Sequence, residues 1–179
     1  YPPVVRIDGN LSGSVVVFDG ALSPTTLIQG LRITNGSGTF FGNRLVGGGV
    51  ACLNGASPTL RNCVINLNYA TDGAGIYVSL GATSQGARIM RDSITLNTAT
   101  NDGGGVYIEL MPNLETASAP QFSRVRIAGN TAGRSGGGLF ASTGTSPSMT
   151  HSWVDSNDAL TLDGGGVCFS GTVDGRIDS

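Results

Sequence analysis

Apolar residues come along this chain in short β-rich bursts, separated by glycine, asparagine and aspartate. Near the N-terminus the bursts are Val4-Val5-Arg6-Ile7 and Ser14-Val15-Val16-Val17-Phe18, punctuated by Asp8-Gly9-Asn10 and Asp19-Gly20 as turns. Residues 25–36 read as strand, turn and strand around Gly30. Residues 37–46 read as a loop that exposes Phe40 and Phe41 unless something covers them. No window of roughly 11–18 residues keeps a helical apolar stripe free of glycine or proline, so an all-β chain is expected.

From residue 47 the bursts become periodic. Gly47-Gly48-Gly49-Val50 returns as Gly73-Ala74-Gly75-Ile76, Gly103-Gly104-Gly105-Val106, Gly136-Gly137-Gly138-Leu139 and Gly164-Gly165-Gly166-Val167. The first glycines are 26, 30, 33 and 28 residues apart. Between them comes a second signal: Ile65-Asn66-Leu67-Asn68, Ile94-Thr95-Leu96-Asn97, Ile127-Ala128-Gly129-Asn130 and Val154-Asp155-Ser156-Asn157. Aligning on its last asparagine brings Leu60, Ile89, Phe122 and Met149 into one column and Ile65, Ile94, Ile127 and Val154 into another.

A fixed unit of this period is the mark of a solenoid, in which one coil cannot bury its apolar side but stacked coils can. Stacking sets equivalent residues roughly 4.8 Å apart. Aliphatic columns then fill the interior. The asparagine column is expected at a corner, where Asn tolerates a left-handed backbone and bonds its neighbours. A single β-solenoid domain over 1–179 follows, with irregular coils in 1–46, regular coils in 47–179 and about six to seven coils in all. The longest coils carry extra residues at 81–86 and 110–119, after the strand that follows the glycines, so both insertions should leave from one edge. The coil opened by Gly164 stops partway, which suggests a segment of a longer chain or subunits stacked through open coil ends.

The paired signals resemble the repeats of right-handed parallel β-helix surface proteins, and are particularly similar to polymorphic outer-membrane protein repeats. Those combine Gly-Gly-Ala-aliphatic with aromatic-x-x-Asn; here Ile or Val replaces the aromatic residue. The resemblance supplies the handedness. It implies an extracellular or cell-surface, non-catalytic solenoid that presents loops for adhesion or assembly, with other protein subunits or a surface polysaccharide as partner.

Composition adds mainly exclusions. The net charge is −2, giving no electrostatic support for nucleic-acid binding, and no apolar run is long enough for membrane insertion of this segment. Cys52, Cys63 and Cys168 have no metal-site spacing and read as small hydrophobes, with a Cys52–Cys63 bridge as the alternative.

Three constellations are candidates for chemistry. If Cys63 and Ile65 point inward, period 2 turns Arg91, Arg124 and His151 outward in one column, flanked by Arg126 and Trp153. Arginine forks and an indole face suit an anionic polysaccharide, either bound or cleaved. Similarity to pectate lyases implies that a lyase would use Arg124 or His151. Asp155 and Asp158 would offset the charges if the face is merely solvated. The register puts Asp92 inward with Cys63, Val125 and Ser152, which a one-residue shift would avoid at the expense of Arg91. Asp72 and Asp102 precede glycine motifs. They serve as turn formers, or as a weak alternative Ca²⁺ site, with no other cofactor expected. Glu109 and Glu115, the only glutamates, lie on or beside the long insertion, with no spacing that shows a paired-carboxylate hydrolase.

Overall fold

In a computed structural model describing residues 5–115, 117–171 and 175–178, the bursts are strands of a parallel β-solenoid of about six turns, with no helix. Three faces repeat. Face A holds Val5–Asp8, Leu31–Thr34, Val64–Asn66, Ser93–Thr95, Arg126–Ala128 and Trp153–Asp155. Face B holds Val16–Asp19, Val50–Leu53, Ile76–Leu80, Val106–Leu110, Leu139–Ala141 and Val167–Phe169. Face C holds Leu27–Gln29, Thr59–Arg61, Arg88–Met90, Gln121–Ser123, Ser148–Thr150 and Arg176–Asp178. A narrow strip, Tyr69–Ala70, Thr98–Ala99, Thr131–Ala132 and Asp158–Ala159, lies between faces A and B.

The aligned columns are the registers of the sheets. Leu60, Ile89, Phe122 and Met149 pair in sequence, as do Ile65, Ile94, Ile127 and Val154. All are buried except Val154, which is half-buried against the same core. Val50, Cys52, Ile76, Val78, Val106, Ile108 and Leu139 close the interior from face B.

Between faces A and B stands an asparagine ladder. Asn97 Oδ1 accepts the Asn68 amide N–H at 3.1 Å and the Asn68 Nδ2 at 3.0 Å. Its own Nδ2 donates to the Ile65 carbonyl at 3.1 Å and to Asn130 Oδ1 at 2.9 Å. Asn130 repeats the pattern onto Ile94 and Asn157. The left-handed corner residue is the one before each asparagine: Leu67, Leu96, Gly129 and Ser156 have φ of 56°, 56°, 63° and 54°. The expectation that asparagine itself takes the left-handed backbone is therefore corrected. Its side chain is needed inward, where it feeds buried backbone groups that have no sheet partner.

The glycine motif packs on this ladder. A Cβ on Gly105 would lie 2.5 Å from the Gly138 carbonyl and 3.0 Å from Asn130 Nδ2. The first glycine of each motif makes the turn, as Gly103 does at φ 66°. The two sequence signals recur together because one closes on the other.

Residues 37–46 are not the expected loop. Thr39–Phe41 and Arg44–Val46 form an antiparallel hairpin. Phe40 is exposed, whereas Phe41 is half-buried and meets Tyr77 edge-on at 6.1 Å. All three cysteines are free, so the alternative Cys52–Cys63 bridge is absent.

Candidate functional site

The two-residue corner from face C to face A turns on a first residue in left-handed conformation. Asn62, Arg91, Arg124 and His151 hold it, with φ of 53°, 59°, 56° and 49°. Their neighbours stack in the ungapped register: Met90 beside Ser123 and Thr150, and Ser93 beside Arg126 and Trp153. Arg91, Arg124 and His151 are thus consecutive exposed residues of one column, with Arg126 and Trp153 in the next outward column on face A. Trp153 is 65% exposed. Arg126 forms an ion pair with Asp155 at 3.0 Å, so part of this charge is offset on the same face. The corner and the column beside it present three guanidiniums, one of them paired with Asp155, together with an imidazole and an indole at strand spacing.

The alternative one-residue shift at Asp92 does not occur, and the ungapped register holds. Asp92 stays inward, 2% exposed, and its carboxylate accepts the Cys63 amide N–H at 2.6 Å and the Met90 amide N–H at 3.0 Å. Burial pushes its carboxyl up to about 7, against the pull of those two amides. The sheet registers on both sides hold it there, because shifting one residue would turn Ile89 and Ile94 outward.

A second cluster lies on the outer side of face B. Tyr77, Tyr107 and Phe140 follow the aliphatic residue of successive glycine motifs and therefore point outward. Their rings stack, with centroids 5.6 Å apart for Tyr77–Tyr107 and 5.1 Å for Tyr107–Phe140, each pair 13° from parallel. The hairpin lays Arg44 over Tyr107, with the guanidinium carbon 5.6 Å from the ring centroid. Arg44 donates to Asp72 Oδ2 and to Glu109 Oε2, both at 2.7 Å. Tyr77 donates its hydroxyl to Glu109. Burial alone would lower Arg44, but the Glu109 hydrogen bond and charge, with Tyr107 and Asp72 adding, raise it. Burial, then the Glu109 charge, pushes the Tyr107 phenol up to about 12.

Asp72 and Asp102 belong to the rim of this cluster. Asp72 Oδ1 accepts the Asp102 amide N–H at 3.0 Å and Asn101 Nδ2 at 2.9 Å. Asp102 Oδ1 accepts the Ser135 amide N–H at 2.9 Å. They cap the backbone of the next coil, as turn formers do. Among the described residues, no three His, Cys, Asp or Glu side chains gather as metal ligands. Glu109 is committed to Arg44 and Tyr77, and Glu115 is exposed on the long loop.

Sequence patterning brings the Arg91, Arg124, His151, Arg126 and Trp153 surface together. It misses the Arg44, Tyr77, Tyr107, Glu109 and Phe140 cluster. The aromatic column was readable from its fixed offset after the glycines. The arrival of Arg44 depends on the hairpin fold and carried no such signal.

No protein-family model, curated protein or solved structure matches this chain. The likeness to polymorphic outer-membrane protein repeats thus has no family match behind it; what stands is the parallel β-solenoid.

Proposed function

We propose that this chain is a non-catalytic display solenoid of the secreted or cell-surface kind, whose loop edge makes adhesive or assembly contacts. One observation carries this reading: most of the length variation of the regular coils falls on one edge, while the segments entering face B (71–75, 100–105, 133–138 and 160–166) change by one residue at a time. The connections from face B to face C span 54–58, 81–87, 111–120 and 142–147, whereas the C-to-A corner keeps to two residues throughout those coils. The loops lean on one another. Ser84 Oγ donates to the Gly55 carbonyl, and Gln85 bridges to Ser118. Ala82, Thr83, Pro112, Asn113, Thr143 and Ser146 are exposed along this row. A scaffold that holds its other corners nearly constant and concentrates its variation on one edge is built to change contacts without changing its core. The glycine and asparagine motifs support grouping the chain with surface solenoids resembling polymorphic outer-membrane proteins.

A second reading is favoured by the register of Arg91, Arg124 and His151 with Arg126 and Trp153: a binding face for acidic polysaccharide. Both readings are tested by measuring attachment to cell-surface preparations and to uronate-rich and neutral glycans. The protein would be compared with a loop variant in which residues 111–120 are replaced by the sequence of 142–147, and with an Arg124→Ala/Trp153→Ala variant. Loss of attachment only in the loop variant supports display at the edge. Loss of uronate binding only in the corner variant supports the polysaccharide face. Turnover of a glycan by the wild-type protein would overturn the non-catalytic reading.

A further inference from the structure

We propose that the outer groove over the last two coils of face B is a docking site for an arginine-presenting turn of a protein partner. This site lies away from the face C–face A corner and touches the loop edge only at Ser170 and Gly171. The template for it lies within the chain. Over the earlier coils, the hairpin of residues 39–46 covers the stacked rings, with Arg44 above Tyr107 and bonded to Asp72 Oδ2. One coil further on, the same positions are held by Phe140 and Asp102, and they open into a groove bounded by Arg134, Leu162, Asp163 and Cys168.

The correspondence holds at the aspartate and at the ring, while Glu109, the second carboxylate on Arg44, has no counterpart two residues after Phe140. Asp72 and Asp102 each spend Oδ1 on the amide N–H of the next coil. In Asp72, Oδ2 then takes the Arg44 guanidinium at 2.7 Å. In Asp102, Oδ2 has Asn101 Nδ2 at 3.2 Å and Arg134 no nearer than 4.0 Å. Phe140 offers the ring that Tyr107 offers Arg44, and it is only half-buried. Leu162 is 53% exposed beside it. Asp163 adds a second carboxylate, so two acidic groups face one basic group in the groove. Burial raises the Asp102 carboxyl above its ordinary value, against the Ser135 amide and Arg134, which leaves it under-compensated for charge. A planar cation that stacks on an aromatic ring while bonding a carboxylate is the signature of arginine rather than lysine.

The probe is a backbone-cyclised peptide carrying residues 38–47, Gly-Thr-Phe-Phe-Gly-Asn-Arg-Leu-Val-Gly, titrated into the whole 179-residue chain by NMR. The expected result is a set of amide shifts centred on Phe140, Leu162 and Cys168. Affinity should fall at least about tenfold for an Asp102→Asn/Asp163→Asn chain and for a peptide with Arg44→Gln, as expected when a charge-assisted bond is removed. Asp163 is exposed, so an Asp163→Asn chain alone tests the charge without risk to the fold, and a smaller loss is expected there. No binding, shifts confined to another face, or equal binding of the glutamine peptide would each overturn the proposal. So would groove shifts produced by a neutral glycan and not by the peptide.

Discussion

Asp92 and Ser152 occupy the same inward position of the face C–face A corner, two coils apart, and each accepts the amide N–H of the coil before it. Asp92 takes Cys63 at 2.6 Å and Ser152 Oγ takes Val125 at 3.0 Å. The chain supplies an acceptor there once as a carboxylate and once as a hydroxyl, while Val125 in the coil between supplies none. The Ser152 hydroxyl donates a hydrogen bond to the Thr150 carbonyl at 2.9 Å, whereas Asp92 has a charge to bury.

That difference sets a pH dependence. The native Asp92 carboxyl is pushed up to about 7 from 3.8, chiefly by burial. The folded chain therefore binds this proton more tightly than the unfolded chain. Stability contributed by the protonated form is full below about pH 4 and is lost as pH rises through 7. The total change is of the order of 2–4 kcal/mol. Asp92→Ser, copying position 152, should flatten this slope and gain stability at pH 8 relative to wild type. Urea unfolding at pH 5 and pH 8 measures both; an unchanged slope in the variant would remove Asp92 as its source.

The asparagine ladder predicts a gradient along the solenoid. Asn97→Ala strands the Asn68 amide and takes the side-chain donor from the Ile65 carbonyl in a site with 0% exposure, while Asn130 Oδ1 keeps only the backbone N–H of residue 97. Unsatisfied buried groups of this kind should cost about 3–5 kcal/mol in total. Asn157→Ala sits in a half-buried coil where water can reach the freed groups, and should cost about 1–2 kcal/mol. Denaturant midpoints of the two variants decide the point, and equal losses would mean that the ladder is not the source of the effect.

The repeat made the architecture readable because stacking forces identical offsets. Leu60, Ile89, Phe122 and Met149 had to share a column once the asparagines were aligned, and the outward column of Arg91, Arg124 and His151 followed from period 2. Asp92 looked misplaced because burial of a carboxylate was weighed without the two amides that meet it. What covers Phe41 was not readable because residues 37–46 lie outside the repeat. A hairpin folding back onto Tyr77 is a tertiary event with no periodic trace. The handedness of the left-handed corner was assigned to asparagine on residue preference, yet Leu67 and Leu96 take it, because the inward side chain outweighs backbone comfort at the next position.

Arg44 should act as the pin of the hairpin. Removing it in Arg44→Ala takes the guanidinium from Asp72, whose side chain is 0% exposed, and from Glu109. The loss should be about 2–3 kcal/mol, below that of a fully buried pair, because the Arg44 side chain is 29% exposed. Hydrogen exchange gives the local readout. The amides of Thr71 and Asp72, which donate to the Leu45 carbonyl, should exchange faster, while those of face C stay unchanged. Arg44→Lys should restore the charge but not the fork that spans both carboxylates, and so recover only part of the protection. Full recovery with lysine would show that charge alone holds the hairpin.

Leu96 offers the opposite sign. It holds φ 56° at a corner where its side chain is 55% exposed, so it bears left-handed strain with little burial in return. A left-handed backbone costs an L-residue roughly 1–2 kcal/mol, and asparagine bears it more easily. The chain already uses asparagine in this conformation at Asn35 and Asn62, with φ of 58° and 53°. Leu96→Asn should therefore stabilise the protein by about 0.5–1 kcal/mol, the strain relieved less the exposed leucine's partial contacts. Its Cδ2 lies close to where a Cβ at Gly129 would sit, so some contact is lost with it. A raised melting temperature at unchanged denaturant slope is the expected result. A lowered one would mean that Leu96 packs along the corner strip with Leu67 and Gly129 strongly enough to hold the turn by itself.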